Sequence, residues 1–138
     1  MRLSSGPGTP GGRSTQRGAW TPGKQRAGGP IRSGPLAFVG GIGGWYPERR
    51  PEGPGDARRQ FSDALEIMKA GLERAGTSMD RVLHIQVALV DPARNFDAID
   101  EIYRRTFAEP RPALSWFGAA DFRRAGQLLQ VDAIAWIE

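Results

Sequence analysis

The chain has 138 residues, enough for one domain and too few for a second sizeable core. It holds no cysteine and one histidine, which excludes disulfide scaffolds, thiolate metal sites, cysteine nucleophiles and every site needing two histidines. The formal net charge of +4 is unevenly placed: residues 1–35 carry six basic groups and no acid, leaving 13 basic against 15 acidic groups in residues 36–138. The body is therefore slightly acidic and lacks the electrostatic footprint of a nucleic-acid-binding domain, so no nucleic-acid partner is expected. No run of about 18 apolar residues occurs, so no membrane span is expected. Charge near the start is not followed by an apolar stretch, so no secretory signal is expected. With no cysteine, this fits a reducing, cytoplasmic setting.

Residues 1–35 contain nine glycines and five prolines. Such a segment buries too little apolar surface to offset its ordering entropy. Residues 1–25 are expected to be a disordered basic tail, and residues 26–138 the globular domain. Trp20 is the one tail residue able to anchor it to the body; an exposed Trp is the plainer expectation.

Residues 27–32, a Ser33-Gly34 turn and Leu36-Ala37-Phe38-Val39 read as a hairpin. Gly40, Gly41, Gly43 and Gly44 follow, then a proline- and glycine-bearing loop over 45–56. These glycines are no dinucleotide fingerprint, because no helix opens after them. Close backbone approach or turns are the expected roles. Residues 57–75 form the clearest helix, with Phe61, Leu65, Met68 and Leu72 on one stripe and Gly76 as a stop. Val82–Val90 alternates, placing Leu83, Ile85, Val87 and Leu89 on one face and His84, Gln86, Ala88 and Val90 on the other. A second helix is expected over 95–108, with Asn95 as N-cap and Phe96, Ile99, Tyr103 and Phe107 repeating at helical spacing. Strands at 113–119 and 128–137 close the chain. In the last, Leu129, Val131, Ala133, Ala135 and Ile137 share an apolar face.

The order β-β-α-β-α-β-β defines an α+β fold, one mixed sheet with two helices on one face, because only one face of each strand is uniformly apolar. The opposite face mixes His84, Gln86, Gln130 and Asp132 with Val90, Ile134 and Trp136. Trp and Ile beside Gln and Asp suit bulk water poorly, so this face is expected to be covered by another copy of the chain, with small-molecule pockets between subunits.

Several stretches in order resemble the Rid proteins (reactive intermediate deaminases, the YjgF family). They are Gly34-Pro-Leu-Ala-Phe-Val-Gly-Gly-Ile-Gly-Gly-Trp, the helix ending Leu72-Glu-Arg-Ala-Gly, and Met79-Asp-Arg-Val-Leu-His-Ile-Gln-Val-Ala-Leu-Val-Asp. Phe96-Asp-Ala-Ile-Asp-Glu-Ile-Tyr-Arg-Arg-Thr-Phe, Arg111-Pro-Ala and Leu129-Gln-Val-Asp-Ala-Ile-Ala complete the set. The resemblance covers roughly residues 27–138. It implies a chorismate-mutase-like fold, a homotrimer with three inter-subunit clefts, and hydrolysis of enamines or imines to ammonia and a keto acid with no metal and no cofactor. It also implies substrate-carboxylate binding by an arginine in a Pro-Ala-Arg motif, and water positioning by a glutamate near the last strand. The chain departs from the family pattern at those positions. Pro112-Ala113-Leu114 stands for Pro-Ala-Arg, Gln130 for the glutamate, Val39-Gly40-Gly41 for Val-Ser-Gly, and Ala27-Gly28 for a Tyr-Ser pair. Asp100 stands for a common asparagine, and Trp116 for a small residue.

Leucine cannot form the guanidinium–carboxylate fork, whose loss costs about 1.5–3 kcal/mol, and glutamine cannot act as a base. Leu114 and Trp116, two apart on one strand, point to one side and are expected to make the cleft apolar and aromatic, with Trp45 and Tyr46 added from the glycine loop. Asp100, beside Tyr103, and Asp132, beside Gln130, are the acids expected at the cleft as proton shuttles. Pairing with Arg111, Arg123 or Arg124 is the plainer alternative for either, and Arg111 is also a candidate replacement for the absent arginine. His84 is a candidate acid or base, or a structural residue at a symmetry axis. The expected function is that of a divergent Rid enzyme acting on an enamine, imine or related biosynthetic intermediate by hydrolysis, dehydration or cyclisation. The alternative is a non-catalytic trimeric small-molecule-binding or regulatory module.

Overall fold

Three amphipathic strands and two helical stripes leave this chain one economical arrangement, a sheet with both helices on its apolar side. The computed structural model describes residue 23 and residues 25–137. The expected tail therefore lies outside the described residues except Gly23 and Gln25, and Trp20 with it. In chain order the elements are β1 (Gln25–Arg26), β2 (Ile31–Ser33), β3 (Leu36–Gly43), α1 (Ala57–Arg74), a 3₁₀ turn (Met79–Arg81), β4 (Val82–Val90), α2 (Pro92–Thr106), β5 (Ala113–Ala119) and β6 (Leu129–Trp136). The sheet order is β1-β2-β3-β6-β4-β5. Only β4 and β5 run parallel, with α2 as the crossover between them. The fold is α+β with one mixed sheet. The two-residue β1 is the one strand that the alternation did not indicate.

The core lies between the helices and the sheet. Phe61, Met68 and Leu72 of α1, Ile99 of α2, Ile85, Val87 and Leu89 of β4, and Leu129 and Val131 of β6 are fully buried there. Burying each contributes roughly 1.5–3 kcal/mol. Asp56 caps α1, its carboxylate accepting the Arg59 N–H at 2.9 Å. At the other end Gly76 takes φ +89°, and the Thr77 N–H donates to the Leu72 carbonyl at 2.9 Å, closing a Schellman turn that a Cβ would strain.

Three expectations are corrected. Leu83 is 47% exposed rather than part of the core, because a register shift between Val82 and His84 lets both Val82 and Ile85 face inward and turns Leu83 out. Helix α2 begins at Pro92, not Asn95: proline at the first turn has the right φ and no N–H to leave unpaired. Asn95 instead donates through Nδ2 to the Val90 carbonyl at 2.7 Å, tying the helix to the end of β4. Finally, the glycine run does not follow β3 but belongs to it. Gly40 and Gly41 together oppose Asp132 in a bulge between the Val39–Ala133 and Ile42–Val131 pairs.

Candidate functional site

Because side chains alternate along a strand, burying Val131, Ala133 and Ala135 sends Gln130, Asp132, Ile134 and Trp136 to the other side of the sheet. Phe38 of β3 pairs with Ile134, and His84 and Gln86 of β4 pair with Ile134 and Asp132. On β5, Ser115 pairs with Gln86 and Phe117 with Ala88, so both share this open face. Phe38, Phe117 and Trp136 are 40%, 50% and 39% exposed there.

The glycine bulge shapes the centre of this face. A Cβ on Gly40 would overlap the carboxylate of Asp132, and one on Gly41 would stand 2.7 Å from the amide nitrogen of Gln130. The two glycines thus clear the space that these two side chains occupy, the close approach expected of the run. Asp132 lines a hollow of about 380 Å³ together with Ile31, Phe38, Val39, Gly40, His84, Gln86, Ala133 and Ile134. Its carboxylate has no hydrogen-bond or ion-pair partner among the described residues, and burial pushes its pKa above the ordinary aspartate value. Such a group holds its proton to higher pH and can pass it to a ligand. His84 Nε2 shares a 3.0 Å hydrogen bond with Ser115 Oγ at the same hollow.

Gln130 lies two residues back along β6 and lines an adjacent hollow of similar size with Phe122, Arg123, Arg124 and Gln127. The 45–56 loop and the 120–128 loop wall this region and are locked to each other. Fully buried Gln60 donates to the Pro54 and Gly126 carbonyls and accepts the Leu128 N–H at 2.8 Å. Arg50 holds Asp63 through two bonds of 2.9 and 3.0 Å, and that hydrogen-bonded pair lowers the Asp63 pKa.

The remaining candidate residues lie elsewhere. Leu114 and Trp116 do share one side of β5, but it is the helix side. Leu114 packs against the core opposite Ile85, and the Trp116 ring stacks 5.0 Å from Phe96 of α2. Within one protomer they do not enclose Asp132. Asp100 is paired with Arg104 at 3.0 Å on α2, away from the open face, and not with Arg111, Arg123 or Arg124. Tyr103 is a core residue whose hydroxyl donates to the Pro112 carbonyl at 2.5 Å. Arg111 contacts Glu109 and donates to the Arg104 carbonyl at the end of α2. Trp45 donates through Nε1 to the Arg50 carbonyl at 2.9 Å, and Tyr46 accepts the Gly43 N–H at 2.8 Å, both bracing the loop. Sequence reasoning missed Phe38, Ser115 and Phe117, although alternation from Leu114 would have placed the latter two on the opposite side. Among the described residues no cluster of three or more His, Asp or Glu side chains is arranged to hold a metal.

Comparison with known proteins agrees with this architecture. The family model described as Endoribonuclease L-PSP matches residues 28–137. A RutC family protein of Pyrococcus abyssi is 33% identical over 110 residues, 78% of this chain and 84% of that protein. Among solved structures, RidA from an Antarctic Psychrobacter superposes with a TM-score of 0.70 at 26% identity, covering 79% of this chain and 86% of that one. A YjgF/YER057c/UK114 family member from Mycobacterium tuberculosis superposes with a TM-score of 0.68 at 25% identity, covering 79% and 85%. The chain belongs to the Rid/YjgF family and has its chorismate-mutase-like fold.

Proposed function

We propose that this chain is a divergent Rid enzyme that hydrolyses, dehydrates or cyclises an enamine, imine or related biosynthetic intermediate, in clefts formed where the open faces of three copies meet. The unpartnered carboxylate of Asp132 in its largely apolar hollow carries this reading. In the hydrolytic case protonated Asp132 gives its proton to the imine nitrogen and water adds to the imine carbon, one water proton passing to that nitrogen; as the keto group forms, the remaining hydroxyl proton returns to Asp132 and ammonia leaves. With Leu114 in the Pro-Ala-Arg position, a carboxylate next to the imine carbon lacks the family's usual partner. Phe38, Ile134 and Val39 offer an apolar wall for a bulkier body.

Ammonia release tests this. Bulky aromatic imines should turn over, short 2-imino acids should not, and Asp132→Asn should lower the rate on the bulky imines at least 100-fold, the contribution typical of a positioned acid. Efficient turnover of the short acids, or an Asp132→Asn rate equal to wild type, contradicts the reading. One observation favours the non-catalytic alternative: Gln130, an amide that cannot ionise, stands at the family's glutamate position. Ligand binding without product from any of the three reaction types would select that alternative.

A further inference from the structure

Among the described residues, the hollow beside Gln130 is lined by two arginines and no acid. Its cations are differently placed from any that the family pattern suggests, on the 120–128 loop rather than on β5. Arg124 is half-engaged. Its Nη1 donates to the Trp45 carbonyl at 3.0 Å and its guanidinium lies 5.2 Å from the Tyr46 ring centroid. These contacts fix the plane of the guanidinium while its Nε and Nη2 donors have no partner among the described residues. That free pair is the edge that grips a carboxylate through two parallel bonds. Arg123 also has no hydrogen bond or ion pair among the described residues, and neither has the Gln130 amide. Gly41 leaves the space in which that amide lies. The loop carrying the arginines is held by Gln60 at Gly126 and Leu128, so the donors are set before a ligand arrives.

We infer that Arg124, assisted by Arg123 and the Gln130 amide, is a carboxylate-binding clasp that takes the acidic end of the substrate. The inference deepens the proposed function and rests on it for the claim that the bound anion is substrate. It also defines the substrate further. Gln130 and Asp132 are two strand residues apart, about 6.5 Å along β6. A ligand reaching both the clasp and Asp132 carries its carboxylate several bonds from the reacting carbon, and an apolar group on the far side of that carbon meets Phe38 and Ile134, which lie beyond Asp132 from the clasp. This matches the loss of the arginine that would serve a carboxylate adjacent to that carbon.

Calorimetry on the full chain tests the clasp independently of turnover, using unreactive keto mimics. The probes are 5-oxo-5-phenylpentanoate, its primary amide, phenylpyruvate and inorganic phosphate. The distal carboxylate should bind at least tenfold more tightly than its amide and than phenylpyruvate, the ratio a charge-assisted fork supplies. Arg124→Gln should reduce acid and amide to equal affinity. Arg124→Lys, which keeps the charge and guards against a folding defect, should retain part of the preference, and Gln130→Leu should lower it. Arg94→Gln, on the exposed surface of α2, should change nothing. Equal affinity of acid and amide in the wild type, a preference that survives Arg124→Gln, tighter phosphate binding, or no binding of any probe overturns the clasp. Carboxylate preference without product from any of the three reaction types would defeat the proposed chemistry and leave the clasp standing; turnover without the preference would do the reverse.

Discussion

Asp132 draws its chemistry from its neighbours. Phe38, Val39 and Ile134 withdraw water from it, and among the described residues no cation replaces that water, so the charged form is disfavoured. The same fact has a stability signature. Its folded pKa lies above the unfolded value of about 3.9, so at neutral pH the folded state bears the cost of ionising it. Asp132→Asn should therefore raise the thermal midpoint at neutral pH by a few degrees. The gain should shrink as pH falls through the raised folded value and vanish below about 3.9. Thermal scans across that range check it; an Asp132→Asn variant less stable than wild type at neutral pH would mean that the carboxylate has a partner. Asp63 is the opposite case on the same molecule. Paired with Arg50, it contributes stability above its unfolded pKa and loses it only as pH falls through a lowered folded value.

At the scale of elements, the bulge in β3 decides where the polar side chains of β6 can lie. Gly40→Ala forces the Asp132 side chain to swing aside, at about 1–3 kcal/mol for crowding of this kind. That cost should largely disappear in the Asp132→Ala background, whereas unrelated sites would give additive losses. Denaturant titration of the four variants measures the coupling, and additivity would refute the packing argument. The two bulges also mark the limit of what was legible in the sequence. The α1 stripe, the extent of β4 and the buried face of β6 follow from periodicity alone, because burial selects one side chain in two or two in seven. A bulge adds one residue to one strand, and no hydrophobic pattern announces it. Leu83 therefore read as core, and Gly40 and Gly41 read as following the strand rather than belonging to it. For Leu114 and Trp116, alternation shows that they share a side, but strand register decides which one, and within one protomer it is the helix side. The arginines of the 120–128 loop were visible as charges, yet their direction depends on Trp45 and Tyr46, 79 and 78 positions away in the chain.

For the whole molecule, the uncovered side of the sheet is decisive. The helices cover most of one face, leaving Trp116 part-exposed at its edge, while the other leaves Phe38, Phe117 and Trp136 over a third exposed beside Gln86, Gln130 and Asp132. A face of this composition is stable in water when a second surface covers it. The proposed trimer supplies that surface and converts the shallow hollows at Asp132 and Gln130 into enclosed clefts, where the Asp132 proton and the Arg124 clasp act in a low dielectric. Sedimentation velocity at micromolar concentration, run on the wild type and on Phe38→Asp, tests this most directly. The account predicts three times the mass of one chain for the wild type, and a folded single chain without activity for Phe38→Asp. A wild-type protein that sediments as one chain while still turning over its substrate would contradict it.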